Sequence, residues 1–472
     1  MQSLSGLDAL FSYNESRNTP MHIGSLSIYQ ADNDAMTFKN VVDVVERNLW
    51  RSPIFRRKLV RMPGNYDRPY WREQRRVAIH RHVKHITLPA TDERQDEVLH
   101  QTIATLHAQP LDMSRPLWQI WFIDGFSDDP QRFALYMKVH HTAIDGISGT
   151  EIFASLHTLE KNACDLHEES EVKEKTPSLL DTLAKWMPAQ YHWSGGSRSL
   201  DKMRKLGQLG SLLQARRKAA LGEQELERRE LNWVRSRFNN RISNKRVVEV
   251  VQFPLNDLRD IRHSLPHTTV NHVLLTIIGG ALREYLLEKS DLPDSSLSTV
   301  VPMNVRQTED QATGNIISLL IACLHTDIVK PLERMEAVRD SAIEGREQSL
   351  GLGKNTMQLI ADVLPARTAA FGLRTLSALS QLPGETRLPF NTVVSSLAMP
   401  PIPLFFSGAK LQKLTCLGLL ANHVGLFHTA VSYEKTMSLS ILACKKIMPD
   451  PDVYAEYLRQ SFVQLKADVK NG

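Results

Sequence analysis

Apolar and polar positions alternate most regularly in the stretch 133–141. The residues on one face are Phe133, Leu135, Met137, Val139 and His141. The residues on the other face are Ala134, Tyr136, Lys138 and His140. A period of two residues is typical of a β-strand. Beyond residue 147 the apolar positions recur at helical spacing, at Ile152, Phe153, Leu156 and Leu159. The pattern predicts a strand ending in a histidine, then a turn and a helix.

The same two periods predict strands and helices throughout the chain. Before this unit they predict a strand at 25–29, a helix from the N-cap candidate Thr37, a helix at 92–108, and a strand to Ile123 that pairs with the central strand. In the second half they predict, in order, a strand at 247–253, a helix at 268–283, strands at 298–306 and from 316, a helix at 332–348, strands at 391–396, near 430–433 and from 437, and a helix from Pro451. Strands mixed with helices in both halves, without an internal repeat, indicate two α/β domains.

Residues 161–245 interrupt this alternation. They are polar and charged, contain Ser-Gly-Gly-Ser at 194–197 and show no strand pattern. We therefore predict an N-terminal domain over 1–160, a helical and basic crossover linker over 161–245, and a C-terminal domain over 246–472. A chain of 472 residues is long enough for two domains with cores of their own.

The composition argues against several classes of protein. A formal net charge of +5 does not by itself indicate nucleic-acid binding. The four cysteines include no Cys-x-x-Cys pair, so neither a disulfide framework nor a zinc site is predicted. The N-terminus lacks the features of a signal peptide, and no apolar run reaches the ~18 residues expected of a membrane span. The expectation is a cytoplasmic protein that does not cross a membrane.

Candidate chemistry is concentrated where the central strand ends. Histidine titrates near neutrality, so His140 or His141 can accept a proton from a hydroxyl or an amine at cellular pH. Asp145 can fix the tautomer of a histidine directly, or hold the loop by pairing with an arginine. Gly146 permits a backbone conformation or a close approach that a side chain would block. A lone histidine at a strand end is usually structural, but two histidines followed by Asp-Gly at this offset are more specific.

These residues resemble a known signature. The run His140-His141-Thr-Ala-Ile-Asp145-Gly146 matches the His-His-x-x-x-Asp-Gly motif of the CoA-dependent acyltransferase superfamily, which includes the condensation domains of peptide synthetases. Within that superfamily, Pro20-Met-His-Ile-Gly24 and Pro116-Leu-Trp118 are similar to segments of the bacterial wax ester synthase/diacylglycerol acyltransferase family. The resemblance implies an α/β fold of two chloramphenicol-acetyltransferase-like domains with mixed sheets, and an active-site channel at their interface.

The resemblance also implies an activity and a set of roles. The donor would be acyl-CoA, and the acceptor a fatty alcohol or diacylglycerol. His141 would be the general base, Asp145 an orienting partner and Gly146 the residue that leaves room for the thioester, with His140 part of the same site. Such a reaction needs no covalent intermediate, no metal and no organic cofactor. Asn271 is a further candidate, as a polar group that the second domain contributes, although it could simply cap its helix.

The second half departs from the family pattern at three places. The family's Asn-Asp pair is Asn271-His272 here, its Ser-Asn-Val-Pro-Gly-Pro turn reads Ser-Ser-Leu-Ala-Met-Pro over 395–400, and its Gly-Leu-Asn segment is Gly425-Leu-Phe427. Two alternatives therefore stay open. One is a condensation-type acyltransferase with another acceptor, and the other is a non-catalytic lipid-binding relative.

Two basic stretches allow more than one interpretation. Residues 198–246 are rich in arginine and lysine with leucines between them, which fits a solvated crossover helix, a surface for anionic phospholipid, or capture of the phosphates of CoA. Nucleic-acid binding is not predicted, whereas peripheral contact with the inner membrane or with lipid droplets is an expectation. His80 and His82 share a face of a predicted strand, so either a metal site or a solvated edge strand is possible.

Overall fold

The structure is a computed structural model that describes residues 2–32, 35–61, 68–90, 94–144, 148–161, 234–304, 317–351 and 389–471. The strands of these residues are β1 (Gln2–Ser3), β2 (His22–Gln30), β3 (Arg57–Val60), β4 (Tyr70–Glu73), β5 (Val83–Thr87), β6 (Trp118–Asp124), β7 (Arg132–His140), β8 (Arg246–Pro254), β9 (Ser298–Asn304), β10 (Ile317–Cys323), β11 (Thr392–Ala398), β12 (Phe405–Phe406), β13 (Ala409–Leu417), β14 (Leu426–Tyr433) and β15 (Thr436–Cys444). The α-helices are α1 (Gly6–Asn14), α2 (Phe38–Asn48), α3 (Gln95–His107), α4 (Ser148–Ser155), α5 (Leu255–His263), α6 (Val270–Glu288), α7 (Pro331–Gly351) and α8 (Pro451–Asn471).

The first large sheet has the order β12-β13-β2-β7-β6-β5, with β5 parallel to β6 and the other neighbours antiparallel. Both of its faces are covered. Phe133, Leu135 and Val139 of β7 share a core with α2 and α4. Ala134 and Tyr136 share a second core with α3 and with much of the second half of the chain. The predicted alternation along β7 is therefore present, but its more polar face is buried as well.

The second large sheet has the order β10-β9-β11-β14-β15-β8. Strand β11 runs parallel to β9 and β14, and the other neighbours are antiparallel, so this sheet is mixed like the first. Helices α6 and α8 carry the buried apolar residues that pack on it. The described residues thus form an α/β fold with one mixed sheet built mainly from each half, as predicted. A small third sheet has the order β1-β4-β3.

Two strands of the second half complete the sheet of the first half. Strand β13 pairs with β2 from Lys410↔Gln30 to Leu417↔Gly24, and β12 pairs with β13 at the edge. Most of the predicted linker, residues 162–233, lies outside the described residues, and β8 begins at Arg246. The division at residues 160 and 245 stays a prediction.

The helix after the central motif is shorter than predicted. It ends at Ser155, and Leu159 is 65% exposed rather than part of an apolar helix face. The reason lies in a distant strand. The N–H of Thr158 donates to the carbonyl of Phe405 at 2.9 Å, and the N–H of Phe405 donates to the carbonyl of Thr158 at 3.0 Å. The chain leaves the helix because its backbone is paired with β12 instead.

The histidine pair at 80 and 82 does not lie on one strand face. Ile79–Arg81 form a 3-10 helix, so β5 begins only at Val83. His80 is exposed, whereas the ring of His82 is buried and stacks on Trp118. Nδ1 of His82 lies 2.8 Å from the carbonyl oxygen of Trp118. Strand β5 is the edge of its sheet, in agreement with an edge strand rather than a metal site.

Candidate active site

The two motif histidines occupy the last position of β7 and the first position of the turn that follows. His141–Ala143 form a 3-10 helix directly after the strand. The N–H of His140 donates to the carbonyl of Leu117 at 3.0 Å, and the N–H of His141 donates to the carbonyl of Met21 at 2.7 Å. The end of the strand is therefore held on both sides, by the residue that precedes β6 and by the segment that leads into β2.

The side chain of His140 organises this turn from within. It is fully buried, and its Nδ1 accepts a hydrogen bond from the N–H of Thr142 at 3.1 Å. In a neutral imidazole the proton must then reside on Nε2. That nitrogen lies 3.3 Å from Oε2 of Glu15, and the same oxygen accepts the N–H of Met21 at 2.5 Å. His140 thus lies between the turn and the carboxylate of Glu15, at ion-pair distance from the latter but outside hydrogen-bond geometry.

His141 has a different environment. Its ring stacks on Phe11, with the ring centroids 4.1 Å apart and the planes at 20°. The residue is only partly buried, but its Nδ1 is shielded from solvent and has no hydrogen-bond partner among the described residues. Burial of the ring, reinforced by the neighbouring His140, lowers the pKa of His141 to about 4. The imidazole is therefore neutral at pH 7 and has a lone pair available to accept a proton.

Helix α1 holds the turn through Thr142. The hydroxyl of Thr142 donates to the carbonyl of Asp8 at 3.0 Å, and α1 also supplies Phe11, which stacks on His141. The start of α1 is fixed by Ser5, whose side chain caps the N–H of Asp8 at 3.1 Å. The ring of His141 is thus aligned by contacts between segments more than a hundred residues apart.

We expect Thr142→Val to lower kcat by up to ~10²-fold, because a small displacement of a reacting group is costly and the turn loses its bond to α1. The free energy of unfolding should fall by only ~1 kcal/mol. Steady-state kinetics and thermal unfolding measure the two effects. Thr142→Ser, which keeps the hydroxyl, is the control and should retain activity. A wild-type kcat in the valine variant would contradict the positioning role.

Two further polar side chains, those of His22 and Lys138, are buried close to His140. His22 faces His140 across the β2–β7 pair, and its Nε2 donates to the carbonyl of His107 at 3.0 Å. Lys138 is also fully buried, and its Nζ donates to the carbonyls of Leu106 at 2.8 Å and Gln109 at 2.6 Å. Burial, together with the nearby charge of Lys84, lowers the pKa of Lys138 to about 7. Nothing in the sequence pattern singled out Lys138 or Glu15.

The remaining predicted site residues are less informative. Asp145 and Gly146 lie outside the described residues, so their roles stay predictions. Asn271 lies in the first turn of α6 and is exposed, and within the described part of the chain it forms no hydrogen bond with His140 or His141. The cap of this helix is Thr269, so Asn271 is not the capping residue. Its proposed contribution to the site stays a prediction.

Family models match most of the chain. The catalytic domain of wax ester synthase/diacylglycerol acyltransferases matches residues 4–274, and the C-terminal domain of the same enzymes matches residues 313–466. The chain belongs to the wax ester synthase/diacylglycerol acyltransferase family. The predicted family is confirmed, and with it the predicted enzyme class, an acyltransferase.

Individual relatives agree with this membership. A putative diacylglycerol O-acyltransferase of Mycobacterium tuberculosis is 29% identical over 470 residues, which cover 99% of both chains. A solved wax ester synthase/diacylglycerol acyltransferase from Marinobacter aquaeolei has a TM-score of 0.69 at 21% identity. The match covers 99% of this chain and 100% of that one. The starter condensation domain of rhizomide synthetase has a TM-score of 0.53 at 13% identity, with 99% of this chain and 94% of that domain covered. The solved structures confirm the predicted fold.

Two of the departures from the wax ester synthase/diacylglycerol acyltransferase pattern have structural explanations. His272 completes a capping box at the start of α6, because its Nδ1 accepts the N–H of Thr269 at 3.3 Å while its own N–H donates to the hydroxyl of that threonine. Phe427 packs where Gly418 lacks a side chain, since a Cβ built on Gly418 would lie 2.4 Å from the phenyl ring. Both residues take part in packing or capping.

Neither a metal-ligand cluster nor a membrane-spanning helix is present among the described residues. They contain no group of three His, Cys, Asp or Glu side chains that could hold a metal ion. None of the described helices combines the length and the apolar character that crossing a bilayer requires.

Proposed function

We propose that this protein transfers a long-chain acyl group from acyl-CoA to a lipid hydroxyl. The acceptor is a fatty alcohol, which gives a wax ester, or diacylglycerol, which gives triacylglycerol. The observation that carries the proposal is the state of His141, a neutral imidazole at the end of β7 that is aligned by Phe11 and Met21. Membership of the wax ester synthase/diacylglycerol acyltransferase family and the names of the relatives support the substrate class.

In the proposed mechanism His141 acts first as a base and then as an acid. It takes the proton of the acceptor hydroxyl while that oxygen attacks the thioester carbonyl. When the carbon–sulfur bond breaks, the imidazolium returns the proton to the departing CoA thiolate. General acid–base catalysis of this kind contributes ~10²–10⁴-fold, and positioning and stabilisation of the oxyanion supply the rest. We propose that neither a covalent intermediate, a metal nor an organic cofactor takes part.

The neighbouring residues have supporting roles in this proposal. His140 and Glu15 keep the turn in place, so that the ring of His141 does not need to reorganise during the reaction. Asp145 orients the loop, and Gly146 leaves space for the thioester. Asn271 offers a polar group from the second half of the chain. Because the acceptor is a lipid, we also propose that the protein contacts a membrane or a lipid droplet at its periphery.

The proposal predicts CoA release that depends on an acceptor. Purified protein is incubated with palmitoyl-CoA and either hexadecanol or 1,2-dipalmitoylglycerol, and free thiol and the ester product are measured in parallel. Release should require an acceptor and should match the ester formed, and the faster acceptor identifies the physiological class.

Reactions without an acceptor are the control for hydrolysis. Equal CoA release with and without acceptor would indicate a thioesterase and contradict the proposal. If both lipids fail but an amine or a different alcohol is acylated, the chain is an acyltransferase with another acceptor. If lipid binds and no CoA is ever released, the non-catalytic alternative holds.

A further inference from the structure

A cleft with a strongly basic lining lies where the first half of the chain meets the second. Its volume is about 530 Å³, and the end of α3 forms one wall while residues 244–246 form another. Four cationic residues line it, namely Arg17, Lys245, Arg246 and Lys445. Among the described residues that line this basic cleft, none carries a carboxylate. The cleft therefore has the electrostatic character of an anion site.

Arg246 supplies a buried charge that no acidic group neutralises. It is 7% exposed, and its guanidinium donates to the carbonyls of Ser243, Lys245 and Asn18. It forms no ion pair with an Asp or Glu in the described part of the chain, in contrast to Arg132, which pairs with Asp96 and Asp128. Burial lowers the pKa of Arg246, the expected effect when a cation lacks a compensating carboxylate. A bound anion would provide that compensation.

The other three cations point to the same kind of ligand. Arg17, Lys245 and Lys445 are exposed, and no described acidic side chain lies within ion-pair distance of them.

The C-terminal end of α3 would ordinarily repel an anion, because its free carbonyls carry partial negative charge. Here the carbonyls of Leu106 and Gln109 are bonded by the buried Nζ of Lys138, which offsets that effect.

We propose that the basic cleft binds the phosphate groups at the nucleotide end of CoA, an inference that rests on acyl-CoA being the donor. The 3′-phosphate and the pyrophosphate of CoA together carry several negative charges, which suits four unpaired cations. The cleft is also close to the base. Arg17 precedes Met21 by four residues, which span at most ~14 Å, and the Met21 carbonyl accepts the N–H of His141 at 2.7 Å. The extended pantetheine arm of CoA can bridge a distance of this order.

A second cleft, of about 410 Å³, is a weaker candidate. It is lined by His80, Arg81, Lys84 and Arg115, but also by Asp112. Asp112 pairs with Arg115 at 2.8 Å, so part of the positive charge is already neutralised. It also lies at the β5 edge of the first sheet.

The test is a binding measurement on the full chain that does not depend on turnover. Isothermal titration calorimetry is carried out with CoA, dephospho-CoA and adenosine 3′,5′-bisphosphate, using wild type and the double variant Lys245→Glu/Lys445→Glu. Arg246 is left unchanged because it is buried. The control is Lys39→Glu/Lys435→Glu, which reverses two exposed lysines elsewhere and changes the net charge by the same amount. We expect the cleft variant to bind CoA and the bisphosphate at least about tenfold more weakly, the control to bind normally, and added salt to weaken wild-type binding.

Equal affinities in the cleft variant and in wild type would overturn the proposal. So would glycerol 3-phosphate or inorganic phosphate binding as tightly as adenosine 3′,5′-bisphosphate, because the source of the phosphate would then not be CoA. Kinetics separate this inference from the proposed function. The cleft variant should raise KM for palmitoyl-CoA about tenfold and leave kcat unchanged. If no protein turns over but CoA binding still distinguishes the cleft variant from the control, the cleft assignment holds and the proposed function fails.

Discussion

His141→Ala should lower the rate of acyl transfer by ~10²–10⁴-fold, because the proposed reaction has one base and the variant removes it. The effect should appear in kcat, since the alanine variant keeps the surfaces that bind donor and acceptor. The wild-type imidazole is already neutral at pH 7, so raising the pH should not rescue the variant or strongly accelerate the wild type. Acceptor-dependent CoA release under saturating palmitoyl-CoA is the measurement.

A matched control is available in the same chain. His80 is an exposed histidine near the β5 edge, so His80→Ala removes an imidazole without touching the end of β7. It should retain wild-type turnover. Both variants should unfold at nearly the wild-type temperature, which checks that lost activity is not lost structure. Turnover of His141→Ala at more than about a tenth of the wild-type rate would exclude His141 as the general base.

Local periodicity predicted the elements around the site well, and it did so for a physical reason. Side-chain alternation identified β7 because successive residues of a strand point to opposite faces, here Leu135 into one core and Tyr136 into the other. Thr37 was predicted as an N-cap, and its side chain does accept the N–H of Asn40 at 3.2 Å. Such features depend on neighbours within a few residues, which a sequence displays directly.

The partners of the turn at His140 and His141 could not be predicted in the same way. Glu15 meets His140, and Thr142 meets Asp8, across more than a hundred residues of intervening chain. Each contact depends on the register in which β2 pairs with β7, where His22 lies opposite His140. A one-residue shift in that register would turn every side chain to the other face. The sequence carries no local signal for such a register, nor for the return of β13 to the first sheet.

Three buried histidines, each bonded to a tyrosine hydroxyl, make the fold sensitive to acid. The pairs are His107 with Tyr136 at 2.6 Å, His157 with Tyr29 at 2.7 Å, and His428 with Tyr454 at 2.9 Å. Burial lowers the pKa of His157 to about 4 and the pKa values of His107 and His428 to about 3. In His157 the geometry explains the neutral form, because Nδ1 donates to the carbonyl of Phe153 and Nε2 accepts from the tyrosine.

We therefore expect the protein to lose stability steeply as the pH falls from about 6.5 to 5. The pKa of an unfolded histidine is ~6.5, so the unfolded chain binds protons in this range while the folded chain does not. The stabilisation is fully present above pH 6.5 and is lost as the pH falls towards the folded pKa values. Each of the three groups accounts for ~2 kcal/mol at pH 5, because 1.5 pH units correspond to about that free energy. Thermal unfolding followed at half-unit steps of pH measures the loss.

The histidine contribution can be separated from that of the carboxylates by its pH range and by substitution. Asp96 and Asp450 have lowered pKa values, so their contributions disappear only when the pH approaches the ordinary aspartate value near ~4. His157→Gln replaces one titrating ring with an amide that does not ionise, and it should reduce the loss between pH 6.5 and 5 by one histidine's share, ~2 kcal/mol at pH 5. Burial also lowers the pKa values of His22 and His141, so these residues contribute to the remaining loss. His263→Gln, at an exposed position at the end of α5, should leave the slope unchanged. If the unfolding temperature of the wild type stays constant from pH 7 to 5, burial does not lower the pKa values of these histidines in the folded chain.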